Sequence, residues 1–195
     1  MTPIHEALQR LVREGFVQAI SRFGYTVSLI TISDVGEMFE LRAILESAAA
    51  RLAAIKGSEE QLKAIVEAAN FTYIYKDRQS YSNFLARNAD FHRSIAVAAG
   101  NQRLVDAISR VFDELTRVFH LGLDLKDSAE EMADEHRALA AALLNRDPGQ
   151  TARTVQSQIT RSQQRVLEAI LGGVRSELSK TFNQTVQVHP PGSRF

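Results

Sequence analysis

Apolar positions along this chain fall into helical spacing almost from the first residue. Ile4, Leu8, Leu11 and Val12 share one face, Pro3 suits a first helical position, Glu6 complements the positive helix start, and Gly15 supplies a stop. Residues 17–20 and 25–29 then have strand character and are joined across Ser21-Arg22-Phe23-Gly24, where Gly24 can take positive φ. Everything beyond reads as helix. Ser33 is a candidate N-cap with Asp34 in the first turn, and Val35, Met38, Phe39, Leu45, Ala49 and Leu52 keep a 3.6-residue period up to Gly57. Ser58 with Gln61 forms a capping-box pattern opening a helix to about residue 76, and another spans about 80–99 before Gly100-Asn101. Leu104, Ile108, Val111, Leu115 and Phe119 mark the next, interrupted by the polar residues 124–128. Ser128 with Glu131 is expected to cap a helix carrying Met132, Leu139 and Leu143. Asp147-Pro148 opens the last, through Val155, Ile159, Val166 and Ile170 to Gly172-Gly173.

The expected fold is therefore all-α: an antiparallel bundle of six or more helices over residues 31–173, preceded by a helix and hairpin over residues 1–30. Residues 174–195 are expected to form a mobile tail whose Phe182 and Val186 could dock on a partner.

Composition narrows the partners. Lysine plus arginine and aspartate plus glutamate both number 23, so no overall field draws the chain to DNA or an anionic membrane, and any nucleic-acid affinity must be local. No cysteine is present, which removes disulfides, thiolate catalysis and cysteine metal sites and is compatible with a reducing cytosol. No apolar run is long enough to span a bilayer, and the start lacks the form of a signal peptide, so a cytoplasmic protein is expected.

Candidate chemistry lies where polar side chains interrupt apolar stripes. Asn88 and His92, at i and i+4, share the stripe of Phe84, Leu85, Phe91 and Ile95, and His136 sits between Met132 and Leu139. Such groups must find partners, because an unpaired buried amide or imidazole costs roughly 1–3 kcal/mol. They are expected to surround one cavity. Arg42 reads on spacing alone as a helix-surface i,i+4 pair with Glu46.

The opening run Thr2-Pro3-Ile4-His5-Glu6-Ala7-Leu8 through Glu14-Gly15-Phe16-Val17, a glycine-tipped hairpin, and Phe39-Glu40-Leu41-Arg42 followed by Leu45-Glu46 together resemble the GntR family of bacterial transcription regulators. The resemblance is to the FadR-type branch, with an all-helical FCD ligand-binding domain, and extends to about Gly173. It implies a dimeric winged-helix regulator that is not an enzyme, binds operator DNA and senses a small metabolite, an organic acid by the donors available. The family's two helices that precede the recognition helix are not in this sequence, and Met1 and His5 stand where family members carry arginine; weak DNA binding is expected. On this resemblance Thr2, His5, Arg10 and Arg22 are the DNA-contact candidates, and Arg42 would line the effector pocket or domain junction. The alternative is a stand-alone ligand-binding or dimerising module.

Asn88-Ala89-Asp90-Phe91-His92 resembles the family's metal motif, whose four ligand places fall on Asn88, His92, His136 and Gln158. Amides thus replace an acid and a histidine. Three readings stay open: a buried hydrogen-bond network without metal, a weakened zinc or nickel site, and a pocket whose effector, a carboxylate or sugar acid, meets Arg42, Asn88, His92, His136 and Gln158 directly. A metal-dependent hydrolase is disfavoured, since no carboxylate base is evident beside the histidines.

Overall fold

The computed structural model describes residues 2–186, with side chains described for residues 2–120, 122–123 and 125–173. Two compact units divide near residue 34. The first contains α1 (Pro3–Arg13), β1 (Val17–Ile20) and β2 (Gly24–Val27). The strands pair antiparallel with Val17 opposite Val27 and Ile20 opposite Gly24. Gly24 has φ +105, a conformation that favours glycine, and Arg22 also turns through positive φ at +68. His5 of α1 meets Tyr25 of β2, Nδ1 to Oη at 3.2 Å, and Gln9 donates to the same hydroxyl at 3.1 Å. Among its described residues, none up to Asp34 is buried.

The second unit is a six-helix bundle. It comprises α2 (Ile32–Lys56, whose first residues fall in the first unit), α3 (Glu59–Ala68), α4 (Arg78–Ala98), α5 (Gln102–Leu125), α6 (Ala129–Leu144) and α7 (Pro148–Val186). Its apolar interior takes Phe39 from α2, Phe84 and Phe91 from α4, Ile108, Phe112 and Leu115 from α5, Leu139 and Leu143 from α6, and Val155 and Ile159 from α7. Side-chain caps fix several helix starts: the Ser58–Gln61 capping box on α3, Asp77 on α4, Asn101 on α5 and Asp147 ahead of α7.

Four details depart from the sequence expectation. The α2 start is capped by Thr31, not Ser33: Thr31 Oγ1 accepts from Asp34 N at 3.1 Å, and Asp34 Oδ2 accepts from Thr31 N at 2.7 Å, a reciprocal box two residues earlier. At Ser128 no side-chain cap forms; Asp127 Oδ1 accepts from Ala129 N at 3.1 Å instead. The helix opened by Ser58 ends at Ala68 rather than near residue 76, because Phe71-Thr72-Tyr73-Ile74-Tyr75 is a β-branched and aromatic run. Its burial alternates, Phe71 and Tyr73 inward and Thr72 and Ile74 outward, as an extended segment requires.

The fourth concerns Gly172-Gly173, which does not stop α7. Glycine inside a helix costs about 1 kcal/mol, too little to end one that is already packed. A Cβ at Gly173 would meet Leu125 Cδ1 at 3.4 Å, an ordinary van der Waals contact, and one at Gly172 would meet nothing, so neither glycine is required by packing. Helix therefore continues through residues 174–186 of the expected tail; the side chains of Phe182 and Val186, and residues 187–195, lie outside the described residues.

The extended segment is tied to α6 by one buried bond, in which Ser128 N donates to Tyr73 Oη at 2.7 Å. Tyr73→Phe leaves that amide without its partner and should cost about 1–3 kcal/mol, read as a lower urea midpoint at unchanged slope.

Candidate functional site

On α2 the buried phase runs Val35, Phe39, Arg42, Glu46, Ala49 and Ala53, alternating steps of three and four. Arg42 and Glu46 therefore face inward, and the i,i+4 pair expected on the helix surface is instead buried, with side chains 3% and 4% exposed. Arg42 Nε pairs with Glu46 Oε1, while Glu46 Oε2 pairs with His92 Nδ1 from α4. Phe39, Phe112 and Phe119 surround the guanidinium, their ring centroids 5.8, 4.9 and 5.7 Å from Cζ. His92 stacks on Phe112 at 4.9 Å between centroids.

A second arm of the network starts at Asn88, one turn before His92. Asn88 Oδ1 lies 2.8 Å from His136 Nε2. Phe71, Phe84 and Phe91 wall the His136 ring, Phe71 nearest at 4.6 Å between centroids. Gln158 on α7 is buried, and neither its Oε1 nor His136 Nδ1 has a hydrogen-bond partner. Arg42, Asn88, His136 and Gln158, with Phe119, Met132, Glu135, Ser162 and Arg165, line one void of about 10 Å³. Beside His92, 3.4 Å from its Nε2, is Arg42 NH2. Asn88, His136 and Gln158 thus share one void from three helices; His92, its ring centroid 5.6 Å from that of His136, is not among the residues that line it.

Sequence reasoning missed three contributors. Glu46 looks like a surface partner on spacing alone, although its place in the Phe39–Ala49 phase signals burial. Phe71 belongs to the segment assigned to helix. Glu135 of α6 is buried and accepts a two-pronged contact from Arg165 of α7 at 2.8 and 2.7 Å, with Arg161 Nε at 2.9 Å. No periodicity pairs residues on separate helices.

The electrostatics follow from burial. Burial by itself would push the Glu46 carboxyl up, but Arg42 and His92 outweigh it and hold the group down at about 2. Burial lowers His92, with Glu46 opposing, and lowers His136 well below the usual 6.5, reinforced by His92 and Arg42. Burial thus favours the neutral form of both rings. With a carboxylate at Nδ1, His92 carries its proton there and turns its lone pair toward Arg42; with an amide oxygen at Nε2, His136 carries its proton on Nε2 and its lone pair on Nδ1.

This donor set fits a divalent metal poorly. The His92 lone pair already faces a guanidinium, the one carboxylate lining the void, Glu135, is already held by Arg165, and no group of three or more His, Cys, Asp or Glu among the described residues could hold a metal ion. Of the four ligand places implied by the family motif, His136 Nδ1 and Gln158 Oε1 have no partner, and His92 Nδ1 meets the Glu46 carboxylate as an ion-pair contact without a hydrogen bond of good geometry.

The candidate DNA contacts are placed in the first unit. Thr2 precedes α1 and is exposed, His5 is half-buried against Tyr25, Arg10 pairs with Glu14 at 2.8 Å, and Arg22 is exposed on the hairpin turn.

The second unit is a six-helix bundle with a small polar void, and a helix and hairpin precede it in the chain. Residues 37–161 match the FCD domain, and the chain belongs to that family, within the GntR-type transcriptional regulators. The HTH-type transcriptional repressor GlaR of Escherichia coli is 25% identical over 165 residues, covering 80% of this chain and 75% of that protein. The probable D-xylose utilization operon transcriptional repressor of Paenarthrobacter nicotinovorans is 30% identical over 159 residues, covering 75% and 64%. Among solved structures, E. coli McbR/YncC superposes with a TM-score of 0.71 at 20% identity, covering 85% of this chain and 79% of that one. A GntR family regulator from Pseudomonas syringae pv. tomato gives 0.60 at 20% identity, covering 92% and 73%. These relatives are regulators rather than enzymes. No helix among the described residues is long and apolar enough to cross a membrane.

Removing one member of the buried ion pair strands the other. Glu46→Gln should destabilise the bundle by about 3–5 kcal/mol in urea unfolding, and Arg42→Met with Glu46→Leu together should cost less than Glu46→Gln alone. The pH dependence has a fixed sign. The folded values of Glu46, His92 and His136 all lie below their usual ones, so their stabilisation is present at high pH and lost on acidification. The melting temperature should begin to fall below pH 6.5 as the unfolded histidines take up protons, and fall more steeply between 4.5 and about 2 as Glu46 does.

Proposed function

We propose that this chain is an effector-responsive transcription regulator that binds operator DNA as a homodimer in the cytoplasm and takes a small organic acid into the void between α2, α4, α6 and α7. The observation that carries the reading is the buried network itself. An ion pair, two neutral imidazoles and two amides in a helical core are expensive to bury, yet the network leaves His136 Nδ1 and Gln158 Oε1 unpaired beside two guanidinium groups. Fold stability alone would favour apolar residues there. Positive groups next to unpaired acceptors suit an anionic, polar effector. Binding that effector would shift the bundle between arrangements that favour and disfavour DNA, a linkage that works equally in both directions.

For DNA, Thr2, His5, Arg10 and Arg22 are the proposed contacts. Arg10 and Arg22 would meet phosphates; Glu14 competes for Arg10. Two copies would place two such units on paired half-sites. A second reading, a ligand-binding or dimerising module that acts without DNA, draws support from the absence of buried residues among those described before Val35.

Light scattering at micromolar concentration should give twice the 21.7 kDa chain mass. Fragments selected by the chain from a random DNA library should bind with a steep salt dependence, and Arg22→Ala should weaken all of them and reduce the slope of log K against log salt by about 1. A dimer that selects no DNA would favour the second reading. A monomer would overturn the homodimer in both.

A further inference from the structure

The helix that carries Arg42 and Glu46 is apolar on both of its faces. Val35, Phe39, Ala49 and Ala53 turn inward with the ion pair. On the opposite face, in steps of four and three, lie Glu37, Leu41, Ile44, Ala48, Arg51 and Ile55, all exposed, with Leu41, Ile44 and Ile55 at 47%, 62% and 55%. A single exposed leucine needs no explanation, but here an apolar ridge runs in line from Leu41 to Ile55, and a helix apolar on both sides is ordinarily covered on both. Its rotation is fixed from within. Arg42 pairs with Glu46 and Glu46 with His92, so the outer ridge is presented in one orientation.

The ridge is symmetric about Ile44. Glu37 lies seven residues before it and Arg51 seven after, about two helical turns either way. Suppose a second copy of α2 crosses antiparallel, Ile44 on Ile44. Two-fold rotation then brings Glu37 of each copy to Arg51 of the other, and Leu41 of each to Ala48 of the other, a large residue against a small one. A shallow crossing, about 20° from antiparallel, keeps residues two turns away within reach. A parallel arrangement would set Glu37 against Glu37 and Arg51 against Arg51. One sequence supplies both halves of every contact, which is what an isologous interface requires.

We propose that the outer face of α2 is where two copies of this chain meet, antiparallel about a two-fold axis at Ile44, with a Glu37–Arg51 pair on either side. The proposal rests on the homodimer reading above and adds the surface that makes it. Ile44 stands between Arg42 and Glu46 in the chain and on the other side of the helix, so the axis passes directly behind the buried ion pair.

The full chain contains no cysteine, so Ile44→Cys introduces its only thiol. A bis-maleimide whose reach matches a helix–helix spacing of about 8–10 Å should join two copies of that variant in high yield. Ile74→Cys, exposed on the segment between α3 and α4, should give little. In sedimentation equilibrium, Glu37→Arg and Arg51→Glu should each weaken the dimer about tenfold, while the two together restore it to within about threefold of the parent. A parent chain that is monomeric removes both this proposal and the homodimer reading. A dimeric parent whose Ile44→Cys variant cross-links no better than Ile74→Cys overturns this surface and leaves the homodimer standing. Single reversals without effect, or a double variant as weak as either single one, overturn the antiparallel Glu37–Arg51 pairing.

Discussion

The Arg42–Glu46 ion pair, buried in the bundle, is the constraint around which the rest is arranged. Taking two charges out of water is costly, and their mutual attraction returns that cost only when remaining donors and acceptors are also satisfied. The fold answers with a sequence of commitments. Glu46 spends its second oxygen on His92, three aromatic rings close over Arg42, and His92 is clamped flat against Phe112. Each choice narrows the next: a His92 ring fixed at Nδ1 can present only Nε2, and that atom faces Arg42.

That chain of commitments explains why a family with a metal-binding motif can give a member whose residues suit a metal poorly. Where the resemblance implies an acid and a third histidine, Asn88 and Gln158 supply no charge. The positive charge in the cavity comes from arginine instead. Asn88 also fixes the proton of His136, so one amide sets which nitrogen of a neighbouring helix is left available. The disagreement with a metal site is thus one of proton placement as much as of ligand count.

Much of the bundle was legible because its helices carry regular apolar stripes closed by recognisable caps, as at Ser58, Asp147 and Gly100. Asn88, His92 and His136 stood out as polar residues in apolar phase. What escaped has specific causes. Phe71 and Tyr73 lie in an extended segment that a 3.6-residue template absorbs into the preceding helix, although the β-branched and aromatic run and its alternate burial belong to an extended chain. Gly172-Gly173 reads locally as a stop, whereas helical backbone continues past it to Val186, since a helix-interior glycine costs only about 1 kcal/mol. Glu46 escapes a sequence pattern because an Arg-Glu pair at i,i+4 ordinarily faces solvent, although its apolar phase turns it inward. The Glu135–Arg165 pair joins two helices and has no signature in either.

The account stands on where two protons sit. Long-range nitrogen-15 correlation spectra of the imidazoles, recorded from pH 5.5 to 8, report tautomer and charge directly for each ring. His92 should be neutral throughout with its proton on Nδ1, and His136 neutral with its proton on Nε2, neither titrating across the range. A pair of rings that titrate near the usual 6.5, or a His136 protonated on Nδ1, would contradict it.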